Sequence, residues 1–205
     1  MQQILNTDLL HGNFYSFFNF ACSRPKINFV MPRYVAFLRG INVSGQKLVK
    51  MEALKKYFEI PGIKNVVTYI QSGNVVFDAS LSSSKLSDKI EKKLSTQFGY
   101  HVPVVLRTIA EMESVIDRNP FPISELPDGA KLYVYFLSGI PESSVIDSLN
   151  SYLVAGETFK VVGQELFFVS QAYGNTKLTI NVIERKLGVI ATARNWATVN
   201  KVIGL

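Results

Sequence analysis

The sequence predicts an α+β protein made of two tandem ferredoxin-like (βαββαβ, α/β-plait) subdomains packed together, with a C-terminal helix. Three observations predict it. Tyr34-Val35-Ala36-Phe37-Leu38-Arg39-Gly40-Ile41 returns 99 residues later as Tyr133-Val134-Tyr135-Phe136-Leu137-Ser138-Gly139-Ile140, and Ile90-Glu91-Lys92-Lys93-Leu94 returns 93 residues later as Ile183-Glu184-Arg185-Lys186-Leu187. Self-similarity at a nearly fixed offset marks duplicated units. Within each copy, runs rich in Val, Ile, Tyr and Phe alternate with stretches of helical period in the order βαββαβ. Between the copies, Arg118 to Lys131 holds Pro120, Pro122, Pro127 and Gly129, a composition that breaks helices and marks a boundary.

In the first copy the pattern predicts a strand at 34–39, a helix near 50–59, strands at 66–71 and 74–78, a helix at 84–98 and a strand at 102–107. Ser72-Gly73-Asn74 supplies the positive-φ chemistry of a tight hairpin. Leu86, Ile90, Leu94 and Phe98 recur every fourth residue, with Lys85, Lys89, Lys92 and Lys93 off that stripe, so this helix buries one face and solvates a basic one. A linking helix near 109–117 follows. In the second copy the strands fall at 132–138, 158–162, 165–169 and 189–192, and the helices at 142–152 and 177–187. The last helix is expected at 193–203. Strand 34–39 is apolar on both faces, with Tyr34, Ala36 and Leu38 on one and Val35 and Phe37 on the other, and strand 133–137 matches it. Both sheets are therefore expected to be covered on both faces, one by helices and the other by the sister unit or the linking helix.

This divides the chain into a first subdomain with its linking helix (32–118), a Pro-rich linker (119–131), a second subdomain (132–205) and an N-terminal extension (1–31). Residues 1–30 carry six aromatics and few charges and have no repeat partner. No Lys or Arg precedes their apolar run and Asn19 interrupts it, so they do not read as a secretory leader, and the run is too short to span a membrane. They are expected to be a poorly ordered extension, or upstream sequence ahead of a true start near Met31. A cytoplasmic location with no membrane contact is expected.

Composition narrows the chemistry. The chain has 205 residues, 47% hydrophobic and 19% charged, which excludes a disordered or collagenous class. A single cysteine, Cys22, and two histidines, His11 and His101, exclude a disulfide framework and argue against a metal centre. The formal charge is +6 and the pI near 9.3, a lean toward anionic partners without the charge density of a dedicated nucleic-acid binder.

Met31-Pro32-Arg33-Tyr34-Val35-Ala36-Phe37-Leu38-Arg39-Gly40-Ile41-Asn42-Val43, Tyr69-Ile70-Gln71-Ser72-Gly73-Asn74-Val75-Val76-Phe77, Asn119-Pro120-Phe121 and Thr192-Ala193-Arg194-Asn195-Trp196 resemble the bacterial family catalogued as domain of unknown function 1697. The resemblance covers about 32–205. It implies two plait-like subdomains in one unit and brings no activity and no cofactor.

One connection differs between the copies. After Gly40 the first copy runs through a polar, glycine-bearing loop to Lys50, whereas after Gly139 the second turns at once through Pro141 and Glu142. A sheet of order 4-1-3-2 brings the end of its first strand beside the starts of the third and fourth. Arg39 with the 40–50 loop, the hairpin Gln71 to Asn74, and Tyr100-His101 are thus expected at one edge. The candidate ligand-binding residues are Arg39, Asn42, Lys47, Gln71, Asn74 and His101, an anion pocket beside a helix start. The competing structural roles are a carboxylate partner for Arg39 and hairpin formation for Ser72 to Asn74. Gly40 to Lys47 is not a P-loop, since its lysine comes one residue late and Leu48 stands where the metal-binding hydroxyl belongs. Arg194 and Asn195, placed on the last helix, are expected to cap it or brace the two halves, with Trp196 as a core anchor.

Three functions follow. The favoured one is a non-catalytic binding module for an anionic ligand: a nucleotide, a phosphorylated metabolite or nucleic acid. The second is a small-molecule enzyme with Arg39 as anion clamp and His101 as general acid or base. The third is a structural or interaction protein with no ligand. Nucleic acid has the weaker support, because the hairpin strand lacks the Lys/Arg-Gly-Phe pattern of RNA-binding plaits.

Overall fold

A computed structural model describes residues 31–42, 48–171 and 173–205. The expectations for residues 1–30 lie outside them.

The first half runs β1 (Arg33–Leu38), α1 (Met51–Tyr57), β2 (Ile63–Tyr69), β3 (Asn74–Ala79), α2 (Ser83–Phe98), β4 (Val104–Thr108) and α3 (Ile109–Asp117). The second repeats it as β5 (Lys131–Leu137), α4 (Ser143–Ile146), β6 (Glu157–Val162), β7 (Glu165–Ser170), α5 (Ile180–Leu187), β8 (Ala191–Asn195) and α6 (Trp196–Ile203). Each half forms a four-stranded antiparallel sheet, β2-β3-β1-β4 and β6-β7-β5-β8, the ferredoxin-like order. The fold is two such units in tandem.

Three apolar layers hold it together. Tyr34, Ala36 and Leu38 pack under α1 and α2 with Leu54, Leu86, Ile90 and Leu94. Tyr135 and Leu137 pack under α5 with Ile183 and Leu187. Between the sheets lie Val35, Phe37, Val134 and Phe136, flanked by Met112 and Val115 of α3 and Val199 and Val202 of α6. The inner faces thus cover one another, and the helix after each fourth strand helps to seal the joint.

The equivalences put Phe37 opposite its own counterpart. The rings of Phe37 and Phe136 stack at 4.2 Å with 13° between their planes, both fully buried. That is the contact expected where an approximate two-fold axis relates the halves.

The repeated glutamate has one job in both copies. Glu91 Oε1 accepts from the Val104 amide at 2.8 Å and Glu184 Oε1 from the Ala191 amide at 3.0 Å, each tying a helix to the first residue of the fourth strand.

Several spans depart from expectation, and β2 runs Ile63–Tyr69 where the pattern predicts 66–71. The helix expected at 142–152 is α4 followed by a 3₁₀ run, Asp147–Tyr152, where Ser148 and Ser151 bond back to carbonyls three residues earlier. The helix expected from 177 starts at Ile180, because Thr179 caps it by accepting from the Val182 amide. The last strand extends to Asn195 and the last helix begins at Trp196, so Arg194 is a strand residue. Pairing with β5, with Val134 opposite Arg194, decides this over the helical propensity of the two alanines.

Candidate functional site

Strand β4 ends Leu106-Arg107-Thr108 and β8 ends Ala193-Arg194-Asn195, each entering a helix that its last residue caps. Register makes Arg107 and Arg194 equivalent, since they pair with Val35 and Val134. Both side chains are buried and both cross to the other sheet. Arg107 Nη2 donates to Leu137 O at 2.9 Å and Gln164 O at 3.2 Å. Arg194 Nη2 donates to Leu38 O at 3.1 Å and Gly73 O at 3.2 Å. Each guanidinium also lies over the opposite phenylalanine, Arg107 over Phe136 at 5.8 Å and Arg194 over Phe37 at 5.3 Å. Arg194 thus braces the halves, though from a strand and not from the last helix.

The symmetry breaks at one atom. Arg107 Nε donates to Glu165 Oε1 at 2.9 Å, and Arg118 adds a second cation to that carboxylate at 3.2 Å. Arg194 Nε donates to the Oδ1 of Asn74, the residue equivalent to Glu165. Its remaining N–H groups go to Thr192 Oγ1 and to backbone oxygens. Every donor is satisfied and every acceptor is neutral, so among the described residues no carboxylate offsets the charge. Burial pushes the Arg194 pKa down to about 9, with Tyr173 opposing the shift. The group stays cationic at neutral pH.

Arg194 forms part of the wall of a cleft of about 730 Å³ between the two halves. Arg39, Asn42 and Gln71 contribute from the first half; Tyr135, Tyr173 and Thr179 contribute from the second. Tyr135 donates to the Tyr173 hydroxyl at 3.3 Å, and burial and Tyr173 push its phenol well above the usual range. Among the described residues the equivalent region around Arg107 has smaller hollows, of about 260 and 240 Å³. On the larger side two connections are longer than their counterparts in the other copy. The β1–α1 segment is one, and the β2–β3 hairpin is the other, spanning 70–73 where its twin has only Gly163 and Gln164. Gly73 fits there because its φ is +77° and a Cβ would come within 3.0 Å of Ile41 and Leu38.

Three of the six candidate residues from the sequence meet in this cleft: Arg39, Asn42 and Gln71. Arg39 is engaged, donating to Glu184 Oε1 and Oε2 at 3.0 Å each and to Asn181 Oδ1 at 2.8 Å. Asn42, at φ +54°, clamps its loop by donating to Val49 O and Gln71 O and accepting from the Val49 amide. Asn74 lies fully buried behind the wall and donates to Tyr69 O and Ser72 Oγ. His101 stands apart, exposed and 2.9 Å from Glu91 Oε2, and does not line the cleft. The Glu91 carboxylate is the equivalent of the Glu184 carboxylate that holds Arg39. Lys47 lies outside the described residues. Sequence reasoning missed Arg194, Tyr173 and Thr179 as cleft residues. The echo of Arg107-Thr108 in Arg194-Asn195, each before a helix, was the available sign that Arg194 belongs to a strand.

Residues 31–167 match the family described as a protein of unknown function (DUF1697). The chain belongs to the DUF1697 family. Its fold is also that of a solved structure, conserved bacterial protein SP0830 from Streptococcus pneumoniae, at 23% identity and a TM-score of 0.68, over 85% of this chain and 98% of that one. No curated protein matches the chain. The DUF1697 match includes Arg39, Asn42, Gln71 and Asn74 and ends within β7, so the cleft residues Tyr173, Thr179 and Arg194 lie beyond it. Among the described residues of this DUF1697 protein, no helix is long and apolar enough to cross a membrane.

Proposed function

We propose that the chain is a non-catalytic binding module for a small organic anion, a nucleotide or a phosphorylated metabolite, held in the cleft beside Arg194. The observation that supports this reading is the difference between two equivalent arginines. Arg107 is neutralised within the fold by Glu165, whereas Arg194 faces Asn74 and borders the larger cavity. A lone buried charge is costly, and an anion entering the cleft offsets that cost. At 5 to 6 Å and an effective dielectric near 20, the attraction is on the order of 3 kcal/mol. Because the Arg194 donors are all used, the ligand takes its hydrogen bonds from other groups. Thr176, Thr179 and Ile180 line the cleft, and in this reading the two hydroxyls and the first amides of α5 supply those bonds. A volume of about 730 Å³ is in the range of sites for nucleotide-sized ligands.

Thermal denaturation with a panel of nucleotides and sugar phosphates tests this. A ligand at about 100 times its Kd adds about 2.7 kcal/mol, which for a chain of this size raises Tm by about 5 to 10 °C. Asn74→Asp gives Arg194 an internal carboxylate and is expected to abolish the shift. A panel without any response, or an Asn74→Asp protein that responds like the parent, refutes the reading.

A further inference from the structure

The positive charge of the chain is concentrated in one half. Residues 31–118 carry 13 Lys and Arg against 8 Asp and Glu, whereas 119–205 carry 7 of each. Four of the thirteen stand on α2, where Lys85, Lys89, Lys92 and Lys93 are exposed and Leu86, Ile90 and Leu94 are buried. Successive lysines three or four residues apart on a helix lie about 5 to 6 Å from one another, so they form a ladder along its axis. Among the described residues none of the four pairs with a carboxylate.

Beside the ladder runs a groove of about 420 Å³, lined by Lys89, Lys92 and Lys93 on one side and by Glu59, Ile60 and Pro61 after α1 on the other. The acids nearby are few. Glu59 is in the groove and Asp88 is on α2, while Glu91 is committed to the Val104 amide and His101. The equivalent helix α5 has no such ladder. Its Lys186 lies over the Tyr152 ring and its Glu184 holds Arg39.

We propose that this groove binds single-stranded nucleic acid, the lysine ladder tracking successive phosphates and Ile60 and Pro61 supporting an unstacked base. A groove with apolar lining beside a line of cations fits a flexible polyanionic strand. The route differs from that of plaits that stack bases on an open sheet, because here both faces of each sheet are covered. The surface is separate from the Arg194 cleft, so either reading stands if the other fails.

Fluorescence anisotropy with a labelled single strand of about 20 nucleotides tests the proposal, with three or four phosphate contacts giving a log–log salt slope of about −2 to −3. Affinity is then expected to fall about 15- to 60-fold between about 50 and about 200 mM salt. The triple variant K89E/K92E/K93E is expected to lose at least about tenfold in affinity, and K131E/K177E/K201E, with the same change in net charge, less than about threefold. Circular dichroism melts establish that both variants are folded, and K89Q/K92Q/K93Q replaces the first if it is not. Three results overturn the proposal: no binding at low salt, equal losses in the two charge-matched variants, or tighter binding to phosphatidylserine vesicles or polyglutamate than to the strand.

Discussion

Truncating the two equivalent arginines is expected to cost unequal amounts. Arg107→Met removes donors to Leu106 O, Leu137 O, Gln164 O and Glu165. It leaves the Glu165 carboxylate, 4% exposed, with Arg118 as its only cation among the described residues, and Arg118 is itself 42% exposed. Removing one partner of a buried ion pair costs about 3 to 5 kcal/mol. Arg194→Met breaks five hydrogen bonds against four, yet every acceptor it leaves is neutral. Unsatisfied neutral acceptors cost about 1 to 3 kcal/mol, and no longer burying a lone cation returns part of this. The Arg194 variant is therefore expected to lie within about 2 kcal/mol of the parent and well above the Arg107 variant in stability. Urea unfolding followed by circular dichroism measures both, compared at equal m. Adding Glu165→Gln to Arg107→Met removes the stranded carboxylate and is expected to recover about 2 kcal/mol. Equal costs for the two arginines, or no recovery in the double variant, refute the claim that one charge is compensated inside the fold and the other is not.

Phe37→Ala and Phe136→Ala are each expected to lose about 3 to 5 kcal/mol, and the double variant about 0.5 to 1.5 kcal/mol less than their sum, because the stacked pair is lost only once. Additive losses in denaturant titrations show that the rings are not coupled. Arg39→Ser is expected to cost no more than about 1 kcal/mol, since its pair with Glu184 is only partly shielded, at 23% and 25% exposure. A thermal melt that collapses in this variant makes Arg39 an essential tie between the halves.

The sheets were open to reading because the repeat sits on their central strands. Tyr34 to Leu38 and Tyr133 to Leu137 are apolar on both faces, and no other element type explains such a run repeated with its glycine. The end of the chain was harder. Ala191-Thr192-Ala193 has the composition of a helix, and only the pairing of β8 with β5, a contact across more than fifty residues, makes it a strand. Arg39, Asn42 and Gln71 could be placed at one edge because connection lengths and sheet order suffice for that. His101 could not be excluded, because its contact with Glu91 is a side-chain pairing that strand order does not reveal, and the equivalent glutamate of the other copy turns that oxygen to Arg39. The unpaired state of Arg194 was invisible until register matched Asn74 with Glu165.

That exchange of one amide for one carboxylate says why such a fold gains from being a single chain. In a symmetric dimer of identical plaits, every substitution is made twice. Replacing the carboxylate that neutralises the crossing arginine would leave two lone cations in one interface, a penalty of several kcal/mol taken at both ends. Joined in tandem, the halves are free to differ. One end keeps its carboxylate and serves as the lock that holds the sheets together. The other gives it up and leaves a buried charge that, among the described residues, faces only neutral acceptors.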